Sequence, residues 1–104
     1  MRRGEVWWAN LASPLGRRPV VLLSRNKAYE ILNSFTIAIV TRTVRGIPVE
    51  VILGPEDGLP VVCAVNADNL LTIPKMALTD RITSLSQEKL NALVRAVKFA
   101  LDLP

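Results

Sequence analysis

Two clusters of cationic and hydroxyl side chains flank two short apolar runs of the chain, and these residue types suit phosphate chemistry. One cluster precedes the run Pro19–Leu23 and consists of Arg17 and Arg18. The other follows the run Ile37–Val40 and consists of Thr41, Arg42, Thr43 and Arg45. If the runs form antiparallel neighbouring strands, the start of one lies beside the end of the other. The two clusters then meet at one rim of a small sheet, where we expect the functional site.

The side chains of this rim could act on a phosphodiester. A guanidinium matches phosphate oxygens bidentately and stays charged at physiological pH, and a threonine hydroxyl can donate to a phosphoryl oxygen. Such groups can neutralise the charge that grows on the phosphate during displacement. RNA would need neither a metal ion nor a protein nucleophile, because its 2′-hydroxyl can attack the adjacent phosphate. Asp68 and Asn69 offer donor and acceptor groups of the kind that read unpaired bases.

The chain has no histidine and a single cysteine, Cys63. This excludes histidine-based catalysis, histidine-ligated zinc and thiolate metal clusters. Cys63 lies in an apolar run, so we expect a buried structural thiol. We expect no metal site and no cofactor.

The charge distribution is compatible with a polyanionic partner. Thirteen Lys and Arg against nine Asp and Glu give a formal charge of +4, and seven arginines lie at or before position 45. A basic N-terminal half is a typical footprint of a nucleic-acid-binding protein, although charge alone leaves an ordinary solvated surface equally open. No apolar run approaches the ~20 residues of a membrane span. Because the N-terminus has no signal-peptide pattern and the lone cysteine fits a reducing compartment, we expect a cytoplasmic protein without membrane contact.

The residue pattern predicts a mainly β protein with one closing helix. Strands are predicted at 5–11, from Pro19, and at 35–41, 48–53 and 61–65, and the segment 78–82 is ambiguous. The paired Trp7 and Trp8 must point to opposite faces of the first strand. A helical turn is predicted at 26–32 with Asn26 as its N-cap.

The clearest element is a C-terminal helix that begins after Ser86 as N-cap. One helical face carries the apolar residues Leu90, Leu93, Val94, Val97, Ala100 and Leu101. The near-continuous apolar strands predict a sheet covered on both faces, by this helix on one side and by another subunit on the other. We therefore expect residues 1–104 to form a single domain built on a small, strongly curved sheet or partly open barrel with a packing helix.

Several segments, in order, resemble the MazF/PemK family of toxin ribonucleases. The start RGEVWWANL (Arg3–Leu11) resembles the family's RGDIYxADL, and Arg18–Val21 resembles its RPVLVV segment. Val40–Arg42 falls where the family has I-T-S or a close variant. The segments Asp68–Ile73 and Leu78–Ile82 resemble its EQIRTI…LTDKI block. The resemblance runs from about Arg3 to the C-terminal helix.

This resemblance implies an SH3-like barrel of the CcdB/MazF type, a homodimer and a toxin of a type II toxin–antitoxin system. It implies sequence-selective, metal-independent cleavage of single-stranded RNA to 2′,3′-cyclic phosphate and 5′-hydroxyl ends, which inhibits translation, and a MazE-like cognate antitoxin as partner. The family's catalytic arginine and threonine fall on Arg18 and Thr41, and its base-reading position falls on Asn69. The remaining RNA contacts are expected from Arg17, Arg42, Thr43, Arg45 and Asp68.

Two other functions remain open from the sequence. A non-enzymatic toxin of the same fold could poison DNA gyrase, as CcdB does, because fold does not decide function. That family relies on a C-terminal Trp-Gly-Ile, whereas this chain ends in Leu101–Pro104. A nucleic-acid-binding module with an inactive site is the other alternative, and salt-sensitive RNA binding without cleavage would indicate it.

Overall fold

The computed structural model describes residues 1–104 and contains six strands and two helices. The strands are β1 (Glu5–Asn10), β2 (Arg17–Leu22), β3 (Ser34–Thr41), β4 (Glu50–Leu53), β5 (Cys63–Pro74) and β6 (Leu78–Ser84). The helices are α1 (Ala28–Ile31) and α2 (Gln87–Ala100), and two 3₁₀ turns cover Pro55–Asp57 and Lys75–Ala77. All strands join one curled antiparallel sheet in the order β4-β5-β3-β2-β1-β6. The predicted mainly β fold with a curved sheet and a C-terminal helix is confirmed.

Some predicted boundaries were wrong because strand pairing overrides local sequence cues. β2 begins at Arg17 rather than at Pro19, since Arg17 still pairs with Asn10 of β1. β5 runs on to Pro74 instead of ending at Val65, because the whole length of β3 pairs with it. The ambiguous segment is β6, which pairs with β1 and forms one edge of the sheet.

The helical turn before β3 is shorter than predicted, and Asn26 does not cap it. α1 begins after Lys27, which makes no side-chain cap bond. The Oδ1 of Asn26 instead accepts a hydrogen bond from the backbone N–H of Arg3 at 2.7 Å. This contact joins residues 23 positions apart, so local sequence preference could not reveal it.

Apolar side chains form two core clusters, one on each face of the sheet, because alternate residues of a strand point to opposite faces. The first cluster includes Val21 of β2 and Ala38 of β3 and is covered by Leu93 and Ala96 of α2. The second includes the alternating residues Val20, Leu22, Ile37 and Ile39, together with Tyr29 and Phe35, whose ring centroids lie 4.7 Å apart. Side chains of the chain itself therefore pack on both faces.

α2 follows the predicted pattern, with one exception. The Oγ of Ser86 accepts a hydrogen bond from the Lys89 N–H at 3.2 Å, which confirms the N-cap. Leu93 is fully buried. Leu101 was predicted on the packing face, but the helix ends at Ala100 and Leu101 is 53% exposed. Neither helix combines the length and the apolar run that crossing a bilayer needs.

Candidate active site

The two cationic clusters meet at one rim, as predicted from the sequence. β2 and β3 are antiparallel neighbours, with Val20 paired to Ile39. The ladder between the two strands ends at this pair, and Arg18 and Thr41 each lie two residues beyond it, at the same end of the two strands. Since alternate residues share a face, both side chains lie on the face of the sheet that carries the second core cluster.

Two clefts open at this rim and share a wall. Both are lined by Leu15, Arg18, Thr41 and Thr43. The first cleft, of about 420 Å³, also takes in Trp8, Arg17, Arg42 and the segment from Leu59 to Cys63. The second cleft, of about 400 Å³, also takes in Arg45, Glu50, Asn66, Asp68 and Asn69. Every site residue predicted from the sequence lines at least one of the two clefts.

Arg18 is half-buried and oriented by the loop between β1 and β2. Its Nε donates to the Leu15 carbonyl oxygen at 3.0 Å. Of the five N–H donors of a guanidinium, this contact uses one. The two terminal nitrogens therefore keep their donors for a ligand, in the arrangement that suits a phosphate group.

Thr41 ends β3, and its hydroxyl is ordered by a local turn. The Oγ1 accepts a hydrogen bond from the Thr43 N–H at 3.1 Å, an interaction that Ser and Thr commonly make two residues ahead. Because this contact uses the oxygen as acceptor, the hydroxyl proton stays available for donation. Arg18 and Thr41 thus provide free hydrogen-bond donors at the wall that the two clefts share.

Asp68 and Asn69 reach the second cleft through a bulge in β5. Ala38 pairs with Leu70, yet the next residue, Ile39, pairs with Asn66 rather than with Asn69. Three residues of β5, 67–69, are therefore outside the ladder with β3. Inside the bulge, the Asp68 N–H donates to Oδ1 of Asn66 at 2.8 Å, and both Asp68 and Asn69 are exposed.

Arg17 is expected from the sequence to contact RNA, but its guanidinium already contacts other side chains of the protein. The Cζ atom lies 4.8 Å from the centre of the Trp8 ring. One terminal nitrogen donates to the Thr79 hydroxyl at 3.1 Å, and the other lies 3.7 Å from the Asp80 carboxylate. By contrast, Arg42 and Arg45 are exposed and form no salt bridge within the chain.

The tryptophans point to opposite faces of β1, as predicted. Trp7 packs against the second core cluster, and its Nε1 donates to the Glu5 carboxylate at 2.9 Å. Trp8 lines the first cleft. One tryptophan therefore packs on the core, and the other lies in the first cleft beneath the Arg17 guanidinium.

The floor of the first cleft contains Cys63, which is 3% exposed. Burial, with a smaller contribution from the Asp57 charge, raises the pKa of this thiol. A protonated, buried thiol is a weak nucleophile. The prediction that Cys63 is buried is confirmed.

Sequence reasoning missed Glu50, which holds the loop between β3 and β4. Its Oε1 accepts hydrogen bonds from the Arg45 and Gly46 N–H groups, each at 2.9 Å. Gly46 has φ of 69°, a left-handed conformation that favours glycine. The sequence Arg45–Pro48 predicts a loop, but it does not reveal which carboxylate anchors that loop.

We predict that Glu50→Ala speeds amide hydrogen exchange at Arg45 and Gly46 by about 10- to 100-fold. Hydrogen bonds to a charged acceptor contribute about 1.5–3 kcal/mol each. Glu50→Gln is the matched control, because its carbonyl oxygen can accept the same two bonds and should keep most of the protection. Equal exchange in wild type and Glu50→Ala would show that other contacts hold the loop.

Comparisons with known proteins give matches along nearly the whole chain. The family model described as "PemK-like, MazF-like toxin of type II toxin-antitoxin system" matches residues 2–101. The chain is 40% identical over 101 residues to "Probable endoribonuclease MazF5" of Mycobacterium tuberculosis, which covers 96% of this chain and 92% of that protein. It is 41% identical over 92 residues to "Probable endoribonuclease MazF2" of the same species, with 88% of each chain covered.

Solved structures give the same relationship. The Mycobacterium tuberculosis toxin MazF-mt6 superposes with a TM-score of 0.89 at 34% identity, over 96% of this chain and 98% of that one. An endoribonuclease in complex with its cognate antitoxin, from a mycobacterial species, superposes with a TM-score of 0.90 at 32% identity. That match covers 100% of this chain and 97% of the other.

Proposed function

Because the chain belongs to the PemK/MazF family of toxins of type II toxin–antitoxin systems, we propose that it is an endoribonuclease that cuts single-stranded RNA at selected sequences. The observation that carries the proposal is that Arg18 and Thr41, at the same end of β2 and β3, line both clefts and keep hydrogen-bond donors free. Its relatives are named endoribonucleases. None of these relatives is named as a gyrase poison.

The reaction is a transesterification that needs no metal ion. The ribose 2′-hydroxyl attacks the adjacent phosphorus, and the bond from phosphorus to the 5′-oxygen breaks. The products carry a 2′,3′-cyclic phosphate and a 5′-hydroxyl. The proton that the attacking 2′-hydroxyl gives up is balanced by the proton that the leaving 5′-oxygen takes up. The terminal nitrogens of Arg18 hydrogen-bond the non-bridging oxygens and neutralise the charge that increases on them. Arg18 is not the base, because arginine stays protonated in proteins.

Thr41 donates its hydroxyl proton to the same phosphate. Its oxygen already accepts from the Thr43 N–H, which orients the remaining proton away from the backbone. A phosphate at the wall shared by the clefts leaves room for one neighbouring nucleotide on each side. Asp68 and Asn69 line the second cleft and read a base there, while the exposed Arg42 and Arg45 follow the backbone phosphates.

A protein antitoxin and a second copy of the chain are the proposed partners. A related mycobacterial endoribonuclease has been solved with its cognate antitoxin. The first cleft carries three arginines and no acidic residue, whereas the second has two arginines beside Glu50 and Asp68. An acidic, flexible segment of an antitoxin would complement the charge of the first cleft and exclude RNA from it. Homodimerisation follows from family membership and is part of the proposal.

The test is cleavage of single-stranded RNA by the purified protein in excess chelator. We expect cyclic phosphate and 5′-hydroxyl ends, and a rate that Thr41→Val lowers by about 10- to 100-fold, the effect of one hydrogen bond to a charged phosphate. Thr41→Ser, which keeps the hydroxyl, should retain most of the rate. Cleavage that stops in chelator, or products with 5′-phosphate ends, would contradict the proposal.

A further inference from the structure

We propose that Arg17 and Trp8 form a stacking platform for one unpaired nucleobase next to the scissile phosphate, an inference that rests on the proposed function. The two side chains are diagonal neighbours across β1 and β2, because Arg17 pairs with Asn10, two residues beyond Trp8. The guanidinium lies over the indole ring, with Cζ 4.8 Å from the ring centre. The pair presents one layered surface to the first cleft.

Contacts with β6 fix the plane of the guanidinium. Its terminal nitrogens interact with the Thr79 hydroxyl at 3.1 Å and with the Asp80 carboxylate at 3.7 Å. Asp80 is also the residue that pairs with Trp8 across β1 and β6. Donors that face β6 are not directed at a phosphate in the cleft, and the nearby carboxylate offsets part of the positive charge. Arg17 is therefore better suited to offer a flat face than to bind phosphate.

The open face of this platform belongs to the same cleft as the proposed catalytic pair. The guanidinium packs on Trp8, and the Arg17 side chain is still 49% exposed in the first cleft. The first cleft crosses the rim of the sheet and takes in Arg18 and Thr41 as well. When the phosphate of one nucleotide contacts Arg18, the base of the neighbouring nucleotide can reach the platform.

The ligand class follows from the chemistry of the surface. Single-stranded RNA is bound by stacking splayed bases on aromatic rings and on guanidinium planes. Every base has a π-face, so such a subsite adds affinity with little base preference. Base selection then resides in the second cleft, with Asp68 and Asn69.

The experiment is an abasic scan of a bound RNA. The oligonucleotide carries the cleavage sequence with a 2′-deoxy nucleotide at the scissile position, so that it binds without being cut. We expect that one abasic substitution beside this position weakens binding to the wild type by about 5- to 100-fold, the range for loss of one stacked base. Arg17→Ala should weaken binding to the intact RNA by a similar factor and should bind the intact and abasic RNAs equally.

Four further variants separate stacking from charge. Arg17→Lys keeps the charge but not the plane, so it should resemble Arg17→Ala and lose the abasic effect. Trp8→Ala, which removes the layer beneath the guanidinium, should do the same. Trp7→Phe changes the neighbouring tryptophan on the opposite face and should keep the abasic effect. The slope of the logarithm of the binding constant against the logarithm of salt concentration should be unchanged in Arg17→Ala. Arg42→Ala should make that slope shallower by about one, because it loses a phosphate contact.

The outcomes distinguish this inference from the function on which it rests. An undiminished abasic effect in Arg17→Ala, or wild-type binding and abasic sensitivity in Arg17→Lys, would overturn the platform while leaving RNA cleavage by Arg18 intact. A reduced salt slope in Arg17→Ala would overturn it too, by showing a phosphate contact. Failure of the wild type to bind or cut RNA would overturn both.

Discussion

Arg18→Ala should lower the rate constant for RNA cleavage by about 10²–10³-fold, the usual cost of removing one group that stabilises transition-state charge. Arg18 is the half-buried arginine whose terminal nitrogens are free at the wall shared by both clefts. The fold should persist, because the variant loses one side-chain hydrogen bond, to the Leu15 carbonyl, worth about 1 kcal/mol. Single-turnover cleavage at saturating enzyme measures this loss apart from RNA binding.

Two matched variants make the Arg18 result specific. Arg18→Lys keeps a positive charge but not the two-pronged donor geometry, so it should recover only part of the rate. Arg42→Ala removes an exposed arginine of the first cleft and should weaken binding more than it slows the chemical step. A wild-type rate in Arg18→Ala, or a larger loss of rate in Arg42→Ala, would assign the phosphate contact to another residue.

Leu93→Ala should lower the free energy of unfolding by about 2–5 kcal/mol, the range for truncating a buried leucine. Leu93 is fully buried in the first core cluster, where α2 covers the sheet. That helix has few other buried anchors, since only Leu93 and Ala96 are buried. Urea denaturation followed by circular dichroism measures the change, and the transition should move to lower urea at a similar slope.

Arg95→Ala is the control on the same helix. Arg95 lies two residues further along α2 and is exposed, so its truncation should change stability by no more than about 0.5 kcal/mol. Equal effects of the two substitutions would contradict the claim that the packing of Leu93 on the sheet holds α2 in place.

Much of the fold and of the candidate site could be predicted because the evidence for it is local or periodic. The spacing of apolar residues after Ser86 predicts α2, and the short apolar runs predict the strands. The rim followed from a single assumption, that the runs before Ser24 and after Phe35 are antiparallel neighbours. Once that holds, Arg18 at the start of β2 and Thr41 at the end of β3 lie at the same rim of the sheet.

The features that could not be predicted depend on contacts between distant residues. The bulge in β5 between Asn66 and Leu70 brings Asp68 and Asn69 into the second cleft. It depends on the register of β5 with β3. The contacts that hold Arg17 come from Thr79 and Asp80 of β6, a segment whose structure was ambiguous in the sequence. The anchoring of the loop by Glu50 depends on how that loop folds back on β4.

The central claim is that the RNA's own 2′-hydroxyl is the nucleophile, with Arg18 and Thr41 acting on the phosphate. The most direct test replaces the 2′-hydroxyl of the single nucleotide 5′ to the scissile bond with hydrogen. In excess chelator, we predict that the wild type cuts the unmodified RNA to a 2′,3′-cyclic phosphate and leaves the substituted RNA intact, although it still binds it. Cleavage of the substituted RNA at the same bond would contradict the claim.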